Sequence, residues 1–286
     1  LSGFFRKKGM GPMHHAQNGQ LKLEETSVDY IRFGTGEKYL ILIPGVGDGL
    51  RTVRGSALPF SFLYRMFAKE YTVFAFSRKN NLPETYTTEQ MADDLSQCMD
   101  QLQIPKADLV GVSQGGMIAL HLALRYPQKV GKLVLVVTLA RQNPIIQQAV
   151  THWIDLVSAQ RYRELFLDIA KKSYSPPYLK RALPLYSLLA RAMKPKNPQR
   201  FLTMARSCLT HDCYLQLQQI ACPTLIIAGG RDQIVGAEAS REIASQIVGS
   251  QLYIYEDLGH GLYEEAKDFS QRILSFLTSS IQGGSL

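Results

Sequence analysis

The stretch that most constrains this chain is Gly-Val-Ser-Gln-Gly-Gly at 111–116. An apolar run, Ala107 to Val112, precedes it. An apolar pattern with helical spacing, Met117 to Tyr126, follows it. The order is strand, tight turn, helix, with Ser113 at the turn. A serine hydroxyl is a weak nucleophile until it is positioned, given a base, and set beside donors for the developing oxyanion. A sharp strand-to-helix turn lifts the hydroxyl clear of the backbone. It also puts the next amide, that of Gln114, at a helix N-terminus, where N–H groups point outward. Such a turn is crowded, so the residues two before and two after the serine must lack side chains. Gly111 and Gly115 meet that need, and Gly116 lets the helix pack close to the sheet. Gly-x-Ser-x-Gly alone arises by accident in roughly one chain in ten of this size. The competing reading is a glycine-rich turn with a bystander serine, so the rest of the chain must decide.

Strand and helix signals alternate on both sides of the turn. Leu21 to Glu25 and Ser27 to Phe33 read as two tightly joined strands. Tyr39 to Ile43 is a continuous apolar run, as in a strand buried on both faces. It ends in the loop Pro44-Gly45-Val46-Gly47-Asp48-Gly49. Phe60 to Lys69 has helical spacing, Tyr71 to Phe76 reads as a strand, and Ser77 to Glu84 as a polar loop. Thr87 or Thr88 caps a helix to about Leu102, with acids early in it as the helix dipole favours. Lys132 to Val137 is the next strand. After it the strand rhythm stops. Four helical pieces follow, at about 145–159, 162–172, 177–193 and 198–209, with Pro184 expected to kink or split the third. Strands return at Thr224 to Ala228 and Gln251 to Tyr255, with helices at about 237–248 and 264–277. This alternation predicts an α/β fold: a mostly parallel eight-stranded sheet flanked by helices, with a helical cap inserted after the sixth strand. The expected division is a leader at 1–20, a core at 21–140 and 220–280, and a cap at 141–219. Position 1 is Leu and His14-His15 is an isolated pair, so the leader reads as processed, truncated or appended.

The chain has 286 residues, 45% of them hydrophobic, and a formal charge of +8. Between Arg141 and Gln216 lie twelve Lys/Arg and four Asp/Glu, so the cap carries the whole excess. Its cations read either as solvated helix faces or as an attraction for an anionic substrate or an anionic membrane surface. Nucleic acid is not an expected partner, since no recognition motif appears. The four cysteines show no Cys-x-x-Cys spacing and read as reduced thiols of a cytoplasmic protein. No cofactor or metal motif appears, and no run approaches the length of a membrane span.

Parallel sheets place their sites at the carboxyl ends of strands. Four groups fall there: the Gly45-Val46 loop after the third strand, Ser113 after the fifth, Asp232 after the seventh and His260 after the eighth. In this reading His260 takes the Ser113 proton, Asp232 fixes the imidazole, and the amides of Val46 and Gln114 bind the oxyanion. Among other candidates, His121 reads as structural. His152 and His211 are weak candidates for touching substrate, and Asp48 is a loop acid, either touching substrate or solvated.

From about Leu21 to Leu277 the chain resembles the α/β-hydrolase fold superfamily. The resemblance rests on Gly-Val-Ser-Gln-Gly-Gly at 111–116, Pro-Thr-Leu-Ile-Ile-Ala-Gly-Gly-Arg-Asp at 223–232, and Gly-His at 259–260. Asp212 through Ile220 is similar to the stretch that leads from the cap back into the sheet in capped members. Many relatives carry His-Gly in the oxyanion loop, where this chain has Pro44-Gly45. Serine at 113 argues against the haloalkane dehalogenase and epoxide hydrolase branches, which use aspartate. The resemblance implies a serine hydrolase with a small acyl substrate, cleaving a carboxylic ester, thioester or lactone. Two alternatives remain: a C–C bond hydrolase with the same triad, and a non-catalytic ligand receptor on this fold.

Overall fold

The computed structural model describes residues 15–192 and 194–279. Eight strands form one sheet: β1 (Gln17–Leu23), β2 (Thr26–Phe33), β3 (Lys38–Ile43), β4 (Tyr71–Lys79), β5 (Ala107–Val112), β6 (Val130–Val136), β7 (Thr224–Gly229) and β8 (Gln251–Tyr255). Their spatial order is β1-β2-β4-β3-β5-β6-β7-β8. The pairs β1–β2 and β2–β4 are antiparallel, and every other pair is parallel. Strand periodicity divides the core between two faces. Ile41 and Ile43 join Phe74, Leu109 and Leu133 on one face; Leu40 and Leu42 join Val73, Val110 and Val134 on the other.

Helices cover both faces. The first face packs against α2 (Thr88–Gln101), α3 (Gln114–Arg125) and α8 (Ala237–Gln246), and the second against α1 (Ala57–Leu63), α9 (Leu262–Glu265) and α10 (Phe269–Thr278). Thr87 starts α2 through a capping box with Gln90, which satisfies two otherwise unpaired N–H groups. Four cap helices separate β6 from β7: α4 (Pro144–Ser158), α5 (Tyr162–Ser173), α6 (Pro176–Ala192) and α7 (Pro198–Thr210). Trp153, Leu156, Leu165 and Phe201 bury one another there, together with Met117, Leu139 and Ile234 from the sheet side. The cap therefore shares a core with the strand ends instead of resting on them as a separate body. Most of its apolar side chains are spent on that packing, the commoner outcome for helically spaced residues.

Several boundaries differ from the sequence reading. Residues 17–20, assigned to the leader, form the first half of β1, paired with Asp29 to Arg32. Residues 1–14 of that leader, His14 included, lie outside the described residues. β4 runs on through Ser77, Arg78 and Lys79, because the first two are buried and bonded rather than solvated. α1 starts before Pro59, since a proline in the first turn gives up an N–H that has no helical partner anyway. The closing helix is two helices with a break at 266–268. Asp268 there accepts from Tyr255 Oη and pairs with Arg272. α6 continues through Pro184, which is exposed, so water can reach the carbonyl that proline leaves without a donor.

Candidate active site

Ser113 sits between β5 and α3 with φ 55° and ψ −121°. A non-glycine residue in that conformation costs of the order of 1–3 kcal/mol and persists only where its surroundings hold it. Here the Ser113 N–H donates to Val136 O at 2.9 Å, and Thr138 Oγ1 donates to Ser113 O at 2.7 Å. The two flanking glycines are required by contact. A Cβ on Gly111 would lie 2.5 Å from Gly115 O, and one on Gly115 would lie 1.9 Å from Ile43 O.

That last approach also brings the end of β3 against the start of α3. After it, Pro44-Gly45 leads into a 3-10 turn, Val46–Gly49. A Cβ built on Gly45 would stand 3.2 Å from Ser113 Cβ and 3.7 Å from Ser113 Oγ, so the loop passes directly beside the hydroxyl. Val46 and Gln114 are each the first residue of a helical turn, where the N–H has no partner within the helix.

Asp232 and His260 meet because the two loops that carry them are bonded together. Arg231 N donates to Leu258 O at 2.9 Å, Gly230 N donates to Tyr255 O at 2.9 Å, and Gly229 abuts Leu258 and Gly259 too closely for a side chain. Asp232 Oδ2 lies 2.8 Å from His260 Nδ1, and both residues are buried. Asp232 Oδ1 accepts the amides of Ile234 at 2.8 Å and Val235 at 3.0 Å, which fixes the carboxylate. An ionised carboxylate only accepts, so this bond assigns the proton to Nδ1 and leaves Nε2 as the basic nitrogen. Among the described residues no hydrogen bond joins Ser113 Oγ to His260. Such contacts are commonly long without substrate and tighten with it.

The sequence reading missed a buried polar network behind the oxyanion loop. Asp48 is neither solvated nor open to substrate. It is buried, its Oδ2 accepts from Arg200 Nη2 at 2.7 Å and from the Arg78 amide at 3.0 Å. Arg200 of α7 also donates to the carbonyls of Asp48, Arg78 and Lys79. Arg78 Nη2 donates to Pro44 O and, at 3.1 Å, to Gln114 Oε1. The Gln114 amide nitrogen then reaches α7 at Met204 O, 2.7 Å away, and Ser207 Oγ, 3.0 Å away. One network thus ties cap helix α7 to Gln114 and to the turn that carries Val46. Burial lowers the Arg78 pKa, with Asp48 opposing that shift.

The cap grips the histidine loop as well. Gly261 N donates to Ser173 O at 2.7 Å, Tyr174 Oη donates to Glu264 Oε2 at 2.8 Å, and Ser175 bonds Glu265 through both its amide and its hydroxyl. Between Pro44-Gly45, α1 and α10 lies an apolar cavity of about 150 Å³, lined also by Val112, Phe60, Tyr64 and Tyr263. A cavity of about that size can take a benzene-sized group. Burial, aided by Glu264, pushes the Tyr64 hydroxyl up to about 12, so it stays a neutral donor.

The remaining histidines fall elsewhere. His152 is exposed on α4. His211 is buried against Thr88 Oγ1, 2.9 Å away, and its ring stands edge-on to His121 at 5.1 Å, which makes both structural. Among the described residues no group of three or more His, Cys, Asp or Glu side chains is placed to hold a metal ion, and no helix is long and apolar enough to cross a membrane.

Known proteins are similar to this chain in sequence and in fold. The chain is 22% identical to 3-oxoadipate enol-lactonase 2 of Acinetobacter baylyi, over 92% of this chain and 97% of that one. It is 28% identical to 2-hydroxymuconate semialdehyde hydrolase of Pseudomonas sp. strain CF600, over 84% and 87%. The crystal structure of the enol-lactonase from Burkholderia xenovorans LB400 superposes with a TM-score of 0.79 at 18% identity, covering 91% of this chain and all of that one. A family model described as the alpha/beta hydrolase fold matches residues 38–267. With that match and the eight-stranded sheet, the chain belongs to the α/β-hydrolase family.

Proposed function

We propose that this protein is a serine hydrolase that cleaves a carboxylic ester, a thioester or a lactone through an acyl-enzyme on Ser113. The observation that carries this reading is the Ser113 backbone. Its φ of 55° with ψ of −121° is a strained conformation for a residue other than glycine, and the Ser113 hydroxyl stands beside the Gly45 loop. Ser113 Oγ attacks the carbonyl carbon while His260 Nε2 takes its proton. Asp232 holds the imidazole and stabilises its charged form. The tetrahedral oxyanion receives the N–H groups of Val46 and Gln114; in comparable sites one such donor is worth about 3–4 kcal/mol. Collapse breaks the bond to the leaving oxygen, or to the sulfur of a thioester, which takes the proton from His260. Water, deprotonated by His260, then releases the acid and frees Ser113. The cavity of about 150 Å³ beside Gly45 suits a small apolar part of the substrate. The cysteine spacing fits a cytoplasmic setting.

Likeness to the semialdehyde hydrolase favours a second reading. A muconate semialdehyde has no ester bond, so its hydrolysis must break a carbon–carbon bond, and the same serine and histidine can serve that reaction. Ser113→Ala tests the shared claim. With a p-nitrophenyl ester, kcat should fall by at least about a thousandfold while the thermal unfolding midpoint stays near that of the parent. A variant keeping more than about a tenth of the parent kcat would remove Ser113 from the nucleophile's role. A normal ester panel with no turnover, alongside cleavage of a dienol-ketone, would select the carbon–carbon reading.

A further inference from the structure

A cleft of about 620 Å³ opens between the core segment that follows the oxyanion turn and the cap segment that leads into α7. Gly49 and Leu50 line its core side, so it lies alongside the turn that carries Val46. Five lining side chains are cations: Arg51 and Arg54 from the core, and Lys194, Lys196 and Arg200 from the cap. None of its lining residues is acidic. Arg200 is neutralised by buried Asp48. The other four are exposed, and among the described residues none has an ion-pair partner. Arg125, Arg141, Arg161 and Arg272, by contrast, each pair with a carboxylate. Four unneutralised cations around one concave surface repel one another. Low-dielectric walls focus their field into the cleft. Asn80 and Asn197 add neutral hydrogen-bonding groups to the lining. The volume falls in the range of small-molecule sites.

We propose that this cleft binds a multiply charged oxyanion, a phosphate ester or a polycarboxylate, held between core and cap. Arg51 and Arg54 grip it from the core; Lys194 and Lys196 grip it from the cap. Occupancy neutralises the facing charges and fastens the cap against the segment next to the oxyanion turn. The anion is either the charged end of the substrate or a separate small molecule. The site is independent of the role given to Ser113.

Calorimetric titration with pyrophosphate tests the proposal without using catalysis. The parent should show saturable one-to-one binding that weakens as sodium chloride rises from about 20 to about 200 mM, because screening shortens the reach of the four charges. The double variant Arg51→Glu/Lys196→Glu should bind at least about tenfold more weakly, since each lost charge-assisted hydrogen bond is worth about that factor. Its circular dichroism should match the parent, because both side chains are exposed. The control variant Lys171→Glu/Lys180→Glu removes two exposed cap cations outside the cleft and should stay within about twofold of the parent. Absence of saturable binding in the parent overturns the proposal. So does equal weakening in both variants, which would make the effect one of general surface charge. Steady-state kinetics then separates the two sources. Pyrophosphate that raises KM for an anionic ester but not for a neutral one places the substrate's charged end in the cleft. An equal effect on both esters identifies a separate ligand.

Discussion

Ser113 keeps its strained backbone because neighbours on three sides leave it no other course: Val136 and Thr138 hold its amide and carbonyl, and the Gly45 loop closes on its side chain. The placement of that residue, and of Asp232 and His260, after the ends of strands was legible in the sequence, because each sits in a short local motif. Arg78, Asp48 and Arg200 were not. Their mutual contacts span 30 to 152 positions, and no local pattern marks a buried charge whose partner lies on another element. The network predicts its own perturbation. Arg200→Met leaves the Asp48 carboxylate buried without its cation, and breaking a buried pair in that way costs about 3–5 kcal/mol. Urea unfolding should show that loss, and kcat should fall with it, since the same carboxylate holds the turn carrying Val46. Adding Asp48→Asn to Arg200→Met should recover part of the stability, so the double variant loses less than the two single losses combined. Strict additivity would mean that the two side chains act independently.

At the scale of elements, the helices and strands that were read correctly have strong local signals: the capping box of α2, the proline starts of α4 and α7, and the apolar run of β3. The errors came where tertiary contacts override local polarity. Ser77 to Lys79 look like loop residues, yet β4 extends over them because Arg78 is buried beneath the cap. At the break between α9 and α10 Asp268 accepts from Tyr255 on β8, a partner that no window of local sequence reveals. His211 shows the same dependence. It stands at the end of α7 and contacts Thr88 at the start of α2 and His121 in α3. Burial, reinforced by His121, pushes its pKa down from the ordinary 6.5 to about 3. The unfolded chain therefore binds this proton from about pH 6.5 downward, while the folded protein does not. The stability contribution is complete above pH 6.5 and is lost as the pH falls toward 3, by at most about 1.4 kcal/mol per pH unit. His121 is shifted in the same direction by burial and adds to the trend. Unfolding midpoints in urea at pH 7, 6 and 5 should fall steadily for the parent and less steeply for His211→Gln. Identical slopes would assign the acid sensitivity to other groups.

Across the whole molecule, the alternation of strands and helices was enough to place the four candidate groups beyond the carboxyl ends of parallel strands and the cap between β6 and β7. Strand order was not readable. β4 lies between β2 and β3, and nothing local in the chain records that crossing. The excess of positive charge was readable as belonging to the cap, but the cationic cleft was not, since Arg51 and Arg54 come from the core and only the folded chain brings them to Lys194 and Lys196. The central claim is that the sheet, the loops and the cap converge to make Ser113 an acylated nucleophile. Labelling with a fluorophosphonate, followed by peptide mass spectrometry, tests it most directly. The account predicts a single phosphonyl adduct on Ser113, absent in Ser113→Ala and formed far more slowly in His260→Gln. An enzyme that hydrolyses a p-nitrophenyl ester yet takes the label on another residue, or on none, would contradict it.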